Sequence, residues 1–118
     1  MRLIFAYIPL ALWAAGVLVV GGLDLGAVSL PSGTDKAAHF LAYGLGGALA
    51  ALAGRWSGRG RGWAGLVFVA LVAATDELRQ AGLAHRHGDP MDWLADMAGA
   101  LAFFVVARGF LRKRAGGE

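Results

Sequence analysis

Four apolar runs, each near the length of a bilayer crossing, constrain this chain more than any other feature. They extend from Leu3 to Gly22, from about Ala37 to Ala53, from Gly62 to Thr75, and from Met91 to Phe110. A helix needs roughly 20 residues to cross the hydrocarbon core. Two of the runs reach that length outright. The other two reach it only by taking polar residues in at one end. The third continues to about Leu83 once Asp76, Glu77, Arg79 and Gln80 are included, and the fourth is interrupted by Asp92, Asp96 and Arg108. Hydrophobic residues make up 58% of the 118 and charged residues 16%, too few charges for a soluble domain of this size. The expectation is an all-α integral membrane bundle of four transmembrane helices, near residues 3–22, 36–53, 62–82 and 90–110, in one domain covering 1–118. The first run follows Arg2, as a signal peptide would. It is longer than a signal core and no clear small-x-small site follows it, so it reads as a retained helix.

Charge orients the bundle. With the N-terminus in the cytoplasm, the cytoplasmic segments carry Arg2, then Arg55, Arg59 and Arg61, then Arg108, Arg112, Lys113 and Arg114. The outer segments carry Lys36, Arg79 and Arg86, with seven of the eight acidic residues and all three histidines. This agrees with the positive-inside rule and puts both termini in the cytoplasm. The high pI therefore reflects basic loops facing anionic lipid headgroups; nucleic acid is not an expected partner, and membrane lipids are. There is no cysteine, which excludes disulfide and thiol chemistry. In the loop Gly54 to Gly62, Trp56 and the adjoining Trp63 suit the membrane interface.

Nineteen glycines suit close helix packing in lipid. Gly46 with Ala50, Gly47 with Ala51, and Ala95 with Gly99 have small-xxx-small spacing. Packing alone accounts for them.

Three outer segments carry polar groups that packing does not require. In the first, Asp35, His39 and Tyr43 fall on one helix face at about 100° per residue. The plain reading of Asp35 is a first-turn acid in a capping box with Ser32. His39, a turn deeper, is either a satisfied structural histidine or a working group. In the second, Asp76 and Glu77 are adjacent, with Gln80 one turn on. Neighbours point about 100° apart, so only one carboxylate should face a given helix; both also lie near enough to the interface to reach water. In the third, Asp89 before Pro90 reads as an N-cap, and His85 and His87 as solvated loop residues. Asp92 and Asp96 share a face. Asp96 lies deeper, where a carboxylate stays protonated or meets a cation; Lys36, Arg79 and Arg86 are at hand. Such a pocket suits general acid–base work on a polar headgroup, with His39, Asp76 and Glu77 as catalytic candidates. A divalent metal would need an acid–histidine cluster with open positions. No short metal-binding spacing is present, so neither metal nor other cofactor is expected. The few hydroxyls show no nucleophile context.

At these residues the chain resembles the VanZ-like family of small bacterial membrane proteins. The family pattern is D-K-x-x-H-F-x-x-Y, then D-E-x-x-Q, then an arginine followed by D-x-x-x-N-x-x-G. Here it reads Asp35-Lys36, His39-Phe40 and Tyr43, then Asp76-Glu77 and Gln80, then Arg86, Asp92, Asp96 and Gly99. Each piece is weak alone; their order and spacing are specific. Asp96 stands where the family usually has asparagine, which makes this pocket more acidic. The resemblance implies a multi-pass protein of the bacterial inner membrane acting at the cell envelope, in a family whose founding member is linked to resistance to the glycopeptide teicoplanin.

The expected function is binding or modification of a lipid-linked or amphipathic envelope molecule. Its pocket would be lined by Asp35, Lys36, His39, Tyr43, Asp76, Glu77, Gln80, Arg86, Asp92 and Asp96. The alternatives are a structural protein held together by buried ion pairs, such as Asp92 with Arg86, and a proton-coupled transporter. Against the last, the polar groups gather near one face.

Overall fold

A computed structural model describes residues 2–21, 34–58, 62–82 and 90–116, without the side chains of Arg2, Thr34, Asp35, Gln80, Ala81 and Pro90. These residues form four helices and no strand: α1 (Arg2–Gly21), α2 (Thr34–Trp56), α3 (Trp63–Ala81) and α4 (Pro90–Gly116). Three of them, α1, α2 and α4, are long and apolar enough to cross a membrane. The last turns of α3 hold Asp76, Glu77 and Arg79, and it is not among those three. Pro90 is the first residue of α4, where its missing N–H costs nothing. Beyond Phe110, α4 continues to Gly116 through Arg112, Lys113 and Arg114, cations that suit the negative end of its dipole.

Between α2 and α3 the chain turns at Gly58 and Gly62, at φ 76° and 67°, a region open to glycine and strained for other residues. Gly62 is glycine for a second reason. A Cβ there would lie 2.8 Å from the Ala50 carbonyl oxygen and 2.9 Å from the Phe104 ring.

Helix α2 is the hub, and α4 is its closest neighbour. The seam between them is built on two glycines. A Cβ on Gly47 would run into the Ala100 carbonyl oxygen, and one on Gly99 into that of Phe40. The small-residue spacing thus does the packing expected of it. Gly46 lies against the Trp13 indole of α1. Trp13 Nε1 donates to the Ala42 carbonyl at 2.8 Å, so the buried N–H finds the acceptor it needs. The Trp13 ring meets Tyr43 edge-on, centroids 5.4 Å apart. Leu10, Val69 and Phe104 complete a core with contributions from all four helices.

The outward surface is apolar. Ile4, Leu12, Leu71 and Val106 are among the many large exposed hydrophobic side chains. In water such a surface would drive association; it suits lipid. Trp56 and Trp63 are also half-exposed.

Candidate functional site

The start of α2, the end of α3 and the start of α4 meet at one end of the bundle, and each brings polar groups inward. Asp76, Asp92 and Asp96 are buried, Asp96 completely. Lys36 Nζ donates to Asp92 Oδ1 at 3.0 Å. One turn deeper, His39 Nδ1 lies 2.6 Å from Asp96 Oδ1. One turn deeper again, Tyr43 Oη donates to Asp76 Oδ2 at 3.2 Å. The positions 36, 39 and 43 on α2 thus form a ladder whose partners lie on α4, α4 and α3. The His39 and Tyr43 rings are stacked with planes 4° apart, as expected for residues sharing one helix face.

Glu77 joins the middle rung. His39, Glu77 and Asp96 each offer a nitrogen or oxygen ligand atom, and all three atoms lie within 4.8 Å of one another. Both carboxylates of the Asp76–Glu77 pair therefore reach toward α2, at different levels. The expectation that only one would face a given helix underestimated how a single helix can present two levels to adjacent residues.

The first helix also takes part, although its sequence carries no polar signal. Its last residue, Gly21, abuts Asp76 so closely that a side chain there would collide with the carboxylate. Arg79 Nη1 donates to the Leu18 carbonyl at 2.8 Å, one of the terminal carbonyls of α1 that lack a helical partner. Arg79 thus ties α1 to α3 beside the acidic cluster.

The partners differ in detail from the sequence expectation. Asp92 is paired with Lys36, and Asp96 with His39 rather than with one of the three cations named for it. Arg86 lies outside the described residues, as do Ser32, His85, His87 and the expected cap at Asp89, and so do the side chains of Asp35 and Gln80. The remaining candidates, Lys36, His39, Tyr43, Asp76, Glu77, Asp92 and Asp96, are brought together.

The VanZ/LLP1 family model matches residues 4–112. The chain belongs to the VanZ/LLP1 family. The match takes in α1 as well as the motif-bearing helices, so the family likeness extends beyond the span from Asp35 to Gly99 that carries the motifs. No curated protein and no solved structure matches this VanZ/LLP1 chain.

The sequence put His39, Glu77 and Asp96 in one expected pocket, but spacing could not reveal that their ligand atoms lie within 4.8 Å of one another. The three residues come from three helices, and a search for chelating residues along one segment has no means of finding such a group.

Proposed function

We propose that this VanZ/LLP1 protein crosses a bacterial inner membrane four times, with both termini in the cytoplasm. Its acidic end faces outward and receives the polar head of a lipid-linked or amphipathic envelope molecule. One observation carries the reading: three helices turn a histidine, a tyrosine hydroxyl and four carboxylates toward each other inside a bundle whose outer surface is apolar. Ionisable groups there are costly and usually mark a working site. Simple packing would have used apolar residues at less cost. The exposed apolar surface of the helices offers a lipid tail a place beside the site. His39, Asp76 and Glu77 are positioned to move protons on a bound headgroup, while Lys36 and Arg79 supply nearby positive charge for an anionic one. A role in teicoplanin resistance would follow where the bound molecule belongs to the cell-wall pathway.

Native mass spectrometry of the full chain in mild detergent tests this. Wild-type protein should retain a polyprenyl-phosphate-linked lipid in preference to bulk phospholipid. His39→Ala, Asp76→Asn and Glu77→Gln should lower that retention by about tenfold or more while leaving the protein monodisperse. Equal retention in all four proteins would sink the reading.

A second reading has its own observation. Lys36–Asp92 and His39–Asp96 both join α2 to α4, the most closely packed pair, as structural staples would. In that case the swapped pair Lys36→Asp with Asp92→Lys should restore both folding and phenotype.

A further inference from the structure

His39, Glu77 and Asp96 come from α2, α3 and α4, and each offers one ligand atom within 4.8 Å of the other two. A first-row divalent cation holds nitrogen and oxygen ligands at about 2.0–2.2 Å, which sets them on the order of 3 to 4 Å from each other. The three atoms are thus within small side-chain adjustments of a coordination shell. The chemistry of the set fits: one imidazole with two carboxylates suits zinc or manganese.

A second observation points the same way. Asp96 is fully buried. Its Oδ1 meets His39, but its Oδ2 has no hydrogen-bond partner among the described residues. A buried carboxylate oxygen left without a donor is costly. A cation would supply what the protein does not. It would also balance the two carboxylate charges, leaving the cluster near neutrality in a low-dielectric setting.

We propose that His39, Glu77 and Asp96 bind one divalent metal ion, zinc or manganese, with at least one coordination position left open. Three protein ligands with a free position is the pattern of a catalytic rather than a structural site. The open position would take water or an anionic oxygen, such as that of a phosphate-bearing headgroup. This last step rests on the headgroup reading above; the metal site itself does not. Tyr43 and Asp76 form the floor of the site, and the Lys36–Asp92 pair forms the rung above it.

Full-length protein, stripped with chelator and held in nanodiscs, is titrated with zinc by calorimetry and with manganese by electron paramagnetic resonance. One equivalent of at least one of these ions should bind. Asp96→Asn and Glu77→Gln, which keep shape and remove charge, should each weaken binding by about tenfold or more, and His39→Ala should do the same. Arg55→Ala, at the opposite end of the bundle, should bind as wild type. Thermal unfolding with and without metal gives a separate readout: the ion should raise the midpoint of wild type but not of Glu77→Gln. Absence of stoichiometric binding in wild type, or binding unchanged in all three ligand variants, overturns the metal site. Metal binding without lipid retention would leave the site standing and remove the headgroup reading; lipid retention without metal would do the reverse.

Discussion

The two ends of this bundle handle charge in opposite ways. At the acidic end, Asp76, Asp92 and Asp96 are buried between helices and bonded across them. At the basic end, Arg55, Arg112, Lys113 and Arg114 are exposed. Their contacts there are surface ones. Arg55 Nη1 donates to the Leu111 carbonyl at 3.1 Å, and the Arg114 guanidinium sits 5.1 Å from the Phe110 ring centroid. Arg108, over the Trp63 ring at 5.4 Å, is the half-buried exception. Helices with outward charge need only anchor in an interface. Helices with inward charge must hold a fixed register, because each buried group depends on a partner from another helix. The acidic end should therefore be sensitive to small changes of spacing, and the basic end tolerant of them.

Two glycines of α4 give the largest test. Gly99 lies one turn beyond Asp96, and a Cβ there would sit 2.8 Å from the Phe40 carbonyl carbon and 3.0 Å from its Cα. Gly109, near the basic end, has nothing within 4 Å. Gly99→Ala should destabilise by on the order of 3 kcal/mol, since the clash is with backbone. Gly109→Ala should be neutral or stabilising by up to about 1 kcal/mol, through helix propensity. Unfolding in detergent micelles reads both. A tolerated Gly99→Ala would mean that α2 and α4 are not locked at this level.

Tyr43→Phe comes next. It deletes one hydroxyl, the donor to Asp76 Oδ2, and keeps the ring that stacks on His39 and meets Trp13. A loss of about 1 kcal/mol is expected in the same unfolding measurement. No loss would mean that the deepest rung of the ladder contributes nothing to holding α2 against α3.

Much of this contrast was legible in the sequence. The apolar runs located the helices, and 100° spacing put His39 and Tyr43 on one face. Charge asymmetry separated the two ends. What spacing could not give was which helices meet and at what register. That is set by Gly47 and Gly99, whose missing side chains matter only once a specific backbone lies opposite. The assignment of Lys36 to Asp92 and of His39 to Asp96 follows from that register, as does the meeting of Glu77 with both. The role of α1 was hidden for a related reason: it contributes Gly21 and the Leu18 carbonyl, neither of which carries a side-chain signal. The continuation of α4 to Gly116 was missed because hydropathy ends where the basic residues begin, while helix propensity does not.

The smallest effects separate the ends most directly, because they compare one cation with another. Lys36 is half-exposed, but its partner Asp92 is buried, with a side chain 9% accessible. Arg55 is exposed and donates to a backbone carbonyl at the surface. Lys36→Ala should cost about 1 kcal/mol, the upper range for a partly screened pair, because the carboxylate it leaves is held between helices. Arg55→Ala should change stability by less than about 0.5 kcal/mol. Salt sharpens the distinction: exposed interactions weaken over a Debye length of about 8 Å at physiological ionic strength, whereas a pair with one buried member is screened less. Unfolding both variants and wild type at low and high salt should therefore leave most of the Lys36 effect in place. An Arg55→Ala cost equal to that of Lys36→Ala at both salt concentrations would mean that charge is used in the same way at the two ends.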